Sequence, residues 1–178
     1  MPYLYTLCAV LPCMLILCWQ DCKYRRLPNT LTIGLAVIGL IVRLWTGGLP
    51  GLCDGLLGGV VCGGFLLIPY MMKSAGGGDV KMLFAAGVIT GFRFAFAELL
   101  FVSVFGLLIG IVMLCLGLVA SARLRHFLRV IFDWRYDRKK GAAELPPKTD
   151  ERTRVPFGVA IAAGTTLTLL YAIYLERI

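Results

Sequence analysis

Apolar residues fall in six long runs separated by polar breaks: Tyr3–Gln20, Thr30–Trp45, Cys53–Met71, Val80–Arg93, Phe94–Ala120 and Pro156–Tyr174. A helix crossing a bilayer needs about 20 apolar residues, with some latitude for tilt and for burial in a bundle. The pattern therefore predicts an all-α fold, a polytopic membrane bundle of about six transmembrane helices. The fourth run is short, and Gly91-Phe92-Arg93 marks its border with the fifth by a weak turn signal. Thr46–Leu52 reads as an outer loop. Between residues 121 and 155 the pattern changes. Leu124, Phe127, Leu128 and Ile131 recur at helical spacing among basic residues, which predicts an amphipathic helix on the membrane surface. Lys139 to Thr153, with Pro146-Pro147, reads as a linker. The whole, 1–178, is one transmembrane domain carrying a basic amphipathic loop at 121–155.

Composition sharpens this picture. The chain is 59% hydrophobic and 16% charged, whereas soluble domains average roughly 45–50% and about 25%. A soluble protein of this length has no core large enough to absorb that excess. The net charge of +8 does not point to nucleic acid, because no recognition module accompanies it and the basic residues cluster beside apolar runs. With the N-terminus outside, all Lys and Arg except Arg43, Arg93 and Arg177 fall on the inner side, as the positive-inside rule requires. Lys23, Arg25 and Arg26 follow the first apolar run, so it reads as a retained span and not as a cleaved leader. Most of the seven cysteines lie within apolar segments, and no Cys-x-x-Cys occurs. They read as small hydrophobes, and no metal or cofactor is expected.

The candidate chemistry rests on two acids. Asp21 stands at the foot of the first run, in Asp21-Cys22-Lys23-Tyr24-Arg25-Arg26-Leu27-Pro28-Asn29. Asp79 follows three glycines, in Gly76-Gly77-Gly78-Asp79-Val80-Lys81. Carboxylates beside a hydrocarbon layer are costly and therefore functional candidates. The helix count puts both at the same membrane border, since the first and third spans run inward and the fourth starts there. Two carboxyls sharing one proton can hydrolyse an amide: the ionised one takes a proton from water while the neutral one donates to the carbonyl oxygen. No serine or cysteine has a base partner, and the sole histidine, His126, sits in the basic loop. Taken singly, Asp79 could be a helix N-cap and Asp21 a solvated interface residue. The glycines exceed what a cap needs; they would open backbone conformations closed to other residues and allow a substrate strand close approach. Asp54 reads as a cap on the outer side, and Glu98 as a partner of Arg93 or Arg43.

At these residues the sequence resembles the prepilin peptidase family of intramembrane aspartic proteases with a Gly-x-Gly-Asp signature. Asp21 with Leu27-Pro28-Asn29 is similar to the first motif, and Gly76 to Lys81 to the second. Val155-Pro156-Phe157-Gly158 resembles the opening of that family's last helix. The resemblance implies catalysis by Asp21 and Asp79, with Gly76, Gly77, Gly78, Lys81, Pro28 and Asn29 shaping the site or positioning substrate. It implies a prepilin or pseudopilin substrate, with a basic leader followed by a hydrophobic helix, cut at the cytoplasmic face of the bacterial inner membrane. Without paired Cys-x-x-Cys motifs the chain resembles the short, peptidase-only branch of Flp-type pili, and methylation is not expected. The lipid bilayer is its partner, and pilus-assembly proteins are candidates for the basic loop. A small proton-coupled transporter using carboxylates as relays is the alternative, but it should carry its acids near the bilayer midplane.

Overall fold

The computed structural model describes residues 2–24, 27–71, 75–116 and 156–177, and all regular structure within them is helical. Five helices follow in order: α1 Pro2–Tyr24, α2 Asn29–Met71, α3 Gly77–Thr90, α4 Phe92–Cys115 and α5 Phe157–Arg177. Among the described residues α1, α2, α4 and α5 are long and apolar enough to cross a membrane. The chain divides into two compact units, residues 1–107 with 156–178 and residues 108–155. Both candidate acids belong to the first. Of the second, only 108–116 is described, mostly the last turns of α4, so the predicted amphipathic helix at 121–155 lies outside the described residues.

The second and third predicted spans form one element, α2, reversed at a single residue. Gly48 has φ 59° and ψ −151°, a region open in practice to glycine alone. The reversal is visible in the contacts around it. Arg43 Nη1 stands 3.3 Å from Asp54 Oδ2, although eleven residues of straight helix would separate the two by about 16 Å. The expected outer loop Thr46–Leu52 is thus compressed into one glycine, with Pro50 in the first turn of the returning arm, where its missing N–H costs nothing. Asp54 is consequently no cap; it is the ion-pair partner of Arg43, whose Nε also donates to the carbonyl of Ile89 at 3.1 Å. The Arg43 guanidinium lies 5.4 Å from the Tyr3 ring, so one side chain ties together α1, both arms of α2 and the end of α3.

The returning arm packs on α3 through glycines at four-residue spacing. A Cβ on Gly59 would stand 2.7 Å from Val88 Cγ2, and one on Gly63 would stand 3.1 Å from Phe84 Cβ. Gly58 and Gly87 meet backbone to backbone. In lipid, where apolar surface gains nothing by leaving the solvent, such close van der Waals contact is the main source of helix association. Gly87→Leu is therefore expected to destabilise the unit by about 3 kcal/mol, the upper end of the usual range for overpacking, because backbone cannot yield as a side chain can. Unfolding in detergent micelles checks this. Gly64→Leu, whose Cβ would meet nothing within 4 Å, is the control and should change little.

α3 spans 14 residues, about 21 Å, well short of a hydrocarbon core about 30 Å thick. It stops at Gly91, with φ 81°, whose N–H donates to the Gly87 carbonyl at 2.8 Å. The break therefore precedes the predicted border at Arg93. A side chain at Gly91 would run into Asp54 Oδ2 and Arg43 Nη2, so close packing as well as conformation calls for glycine here. α5 carries a small-residue face. Gly164 backs onto Val102, where a Cβ would lie 2.8 Å from the backbone nitrogen. Glu98, fully buried, accepts a 2.7 Å hydrogen bond from Thr165 Oγ1. It pairs with neither arginine that sequence had offered. The core of the unit, with Leu17, Leu35, Met82, Leu83, Ile161 and Leu169 fully buried, draws on α1, α2, α3 and α5.

Candidate active site

Asp21 lies in the last turn of α1 and is 5% exposed. The Gly158 N–H donates to its Oδ2 at 2.8 Å. α5 begins at Phe157, just after Pro156, and the first N–H groups of a helix have no acceptor within it. Asp21 supplies one from across the bundle. Sequence placed this acid at a helix C-terminus among basic neighbours; the structure adds a helix N-terminus that faces it. The contact also fixes the residue at 158. A Cβ there would stand 2.7 Å from Asp21 Oδ2 and 3.2 Å from its Cγ, so a side chain at 158 and the carboxyl cannot both keep their present places.

Asp79 is the third residue of α3 and half-buried. The N-cap is Gly76, in extended conformation (φ −80°, ψ 142°) and without a side-chain cap bond. Asp79 is thus inside the helix, at its third position, and is not itself the N-cap residue. Its carboxyl folds back over the cap, because a Cβ on Gly76 would stand 2.9 Å from Asp79 Oδ2. The negative φ at Gly76 corrects one expectation: this cap glycine is not there for a forbidden backbone conformation. The three glycines provide clearance. Gly76 leaves room for the carboxyl of Asp79. Gly77 leaves room for the ring of Tyr70, 3.2 Å from where a Cβ would be, and Gly78 for Leu27 Cβ at 3.0 Å.

Leu27 joins the two halves. It packs against Gly78 on one side and reaches Gly158 on the other, with its Cδ2 3.3 Å from a Cβ built there. The path from Asp21 through Gly158 and Leu27 to Gly78 and Asp79 is therefore a continuous set of contacts at one end of the unit. Pro28 opens α2: its carbonyl accepts from the N–H groups of Leu31 and Thr32, each at 3.2 Å. Asn29 Oδ1 accepts from Lys81 Nζ at 2.9 Å, linking the last residue of the first motif to the last of the second. All eight residues nominated from sequence thus belong to this end. Leu27, Tyr70 and Gly158 were not nominated, although Leu27 and Gly158 lie inside the quoted motifs. The usable signal was Pro156-Phe157-Gly158, a proline and a side-chain-free residue at the start of a helix.

The Asn29–Lys81 bond is exposed, and its worth is modest. Asn29→Ala and Lys81→Ala are each expected to speed hydrogen exchange at the Leu31 and Thr32 amides by about two- to fivefold. The double variant should be no faster than either single one, since one bond is lost in all three.

The family model described as the type IV leader peptidase family matches residues 8–111, more than half of the chain and a stretch containing both acids. No curated protein and no solved structure matches the chain.

Proposed function

The chain belongs to the type IV leader peptidase family, and from that premise we propose that it is an aspartic endopeptidase in which Asp21 and Asp79 activate water. Its substrate is a prepilin-like protein with a basic leader followed by a hydrophobic helix, and the scissile amide binds between the two carboxyls. The ionised carboxylate takes a proton from water as the water oxygen bonds to the carbonyl carbon, and the neutral carboxyl gives its proton to the carbonyl oxygen. Collapse of the tetrahedral intermediate breaks the C–N bond: the proton taken from water passes to the leaving amine, and the proton lent to the carbonyl oxygen returns to the carboxylate that gave it. No cofactor enters these steps.

The observation that carries this reading is the contact path from Asp21 to Asp79 through Gly158, Leu27 and Gly78. A water-activating pair needs both carboxyls at one end of the bundle, held by rigid elements. The location rests on neighbouring side chains. Lys23 Nζ stands 4.9 Å from the Trp19 ring and 5.3 Å from the Tyr24 ring, a basic and aromatic cluster of the kind that sits at a membrane–water interface. Together with Arg25, Arg26 and Lys81 it favours the cytoplasmic border of a bacterial inner membrane, where a basic leader is retained. Flp-type pilus assembly is the setting we assign, with assembly proteins as further partners.

The test is cleavage in proteoliposomes. The probe is a peptide with a Lys/Arg-rich leader joined to an apolar helix of about 20 residues, and the products are identified by mass. Two fragments cut near the junction are expected. An intact peptide, together with proton flux across the vesicle, would instead favour the transporter.

A further inference from the structure

Beside Asp21 begins an apolar groove that the proposed chemistry does not use. It has a volume of about 410 Å³ and runs between α1 and α5, with Phe105 of α4 contributing to its wall. Its near end is lined by Cys18 and Val159, its far end by Leu11 and Leu170. Cys18 precedes Asp21 by less than one helical turn, and Val159 follows Gly158, whose N–H is held by Asp21. The groove therefore begins within one helical turn of Asp21, whose carboxyl would act on the attacking water.

We propose that this groove seats the hydrophobic helix of the substrate, and so fixes which bond lies between Asp21 and Asp79. The inference rests on the peptidase reading and adds to it the place and form of the docked segment. A chain leaving the site toward the hydrocarbon passes from water to a medium with no hydrogen-bond partners. Its backbone groups must be satisfied within itself, so it runs as a helix and not as a strand. The groove extends from residue 11 to 18 on α1 and from 159 to 170 on α5, roughly 10 Å and 16 Å, which matches two to three turns of an apposed helix. Ala162, Ala163 and Thr166 line its α5 side, small side chains that let another helix axis come near. The lining has almost no polar surface, so it rejects a polar solute and accepts Leu- or Phe-like side chains.

Cys18 supplies the probe. In an Asp79→Asn variant keeping Cys18 as its only cysteine, the same leader–helix peptide, with one cysteine stepped along its helix, is oxidised with copper phenanthroline. Disulfide yield is expected to peak at positions three to four residues apart within the first two turns after the junction. A flat profile, no adduct, or a Cys18–Cys18 dimer overturns the proposal; the last assigns the groove to a second copy, and no adduct fits acyl chains filling it. The second measurement uses Ala163→Trp. The ratio of kcat/KM for the helix-bearing peptide to that for a truncated leader peptide is expected to fall at least about tenfold. Val60→Trp, on an exposed part of α2, should keep the ratio. An unchanged ratio for Ala163→Trp overturns the docking proposal alone. Wild-type protein that cuts neither peptide overturns the peptidase reading itself.

Discussion

Asp21→Asn and Asp79→Asn are each expected to lower leader cleavage by at least about a thousandfold while leaving the helices in place. Asparagine preserves the shape of the carboxyl but can neither accept the proton of water nor lend one to a carbonyl. At position 21 the amide oxygen still accepts from the Gly158 N–H, so the first turn of α5 keeps its partner. Alanine at 21 removes that acceptor as well, at a cost of about 1 kcal/mol. The two substitutions at one position thus separate chemistry from stability: both abolish cleavage, and only alanine lowers the unfolding midpoint. At position 79, asparagine gives up the attraction of a carboxylate to the helix N-terminus, worth about 0.3–1 kcal/mol, too little to unfold the bundle. The Asn/Asn double variant should be no worse than either single one, because half a dyad is no better than none. The measurements are product mass and thermal unfolding in micelles. Processing that persists in either Asn variant removes the dyad from the mechanism.

The second large effect is expected at a residue that carries no chemistry. Gly158→Ala places a methyl group where the Asp21 carboxyl now sits, 2.7 Å from Oδ2. One of the two must move, and a displacement of about 1 Å at a reacting group can cost a hundredfold. We expect kcat to fall by roughly 30- to 100-fold on that account. Helix propensity acts in the opposite direction, since alanine is better than glycine within a helix by about 1 kcal/mol. Activity lost without stability lost is therefore the signature of misplacement. Gly34→Ala, at a position where a Cβ would meet nothing within 4 Å, should leave activity near wild type. If Gly158→Ala cleaves at the normal rate, the Asp21 carboxyl is not held against the start of α5.

The features legible in the sequence are those that local spacing determines. The apolar runs located the helices, and counting them put Asp21 and Asp79 at a common border; the contacts through Leu27 join the two at one end of the unit. Local signals failed where a feature depends on what packs against it. Thr46 to Leu52 contains the glycines and proline of a loop, and nothing in it says that the reversal takes one residue at Gly48. The partner of Asp54 is settled by that reversal, so the acid was misread as a cap. Glu98 finds Thr165, and Asp21 finds Gly158, 137 residues away. Such pairings follow from the close approach that small residues permit, which is a property of two surfaces and not of either segment. Of the two reasons read for the glycines before Asp79, the special backbone conformation does not hold, and the clearance they give to neighbouring side chains leaves no trace in a single chain's pattern.

The bond between Asp21 and Gly158 also sets an order in time. The donor belongs to the last helix, so it emerges from the ribosome after every other part of the site. A nascent chain already holding both acids in the bilayer lacks the group that orients one of them. On the proposed mechanism, a half-made copy would turn over slowly on neighbouring membrane proteins, and its full rate would arrive with the insertion of the helix that carries Gly158.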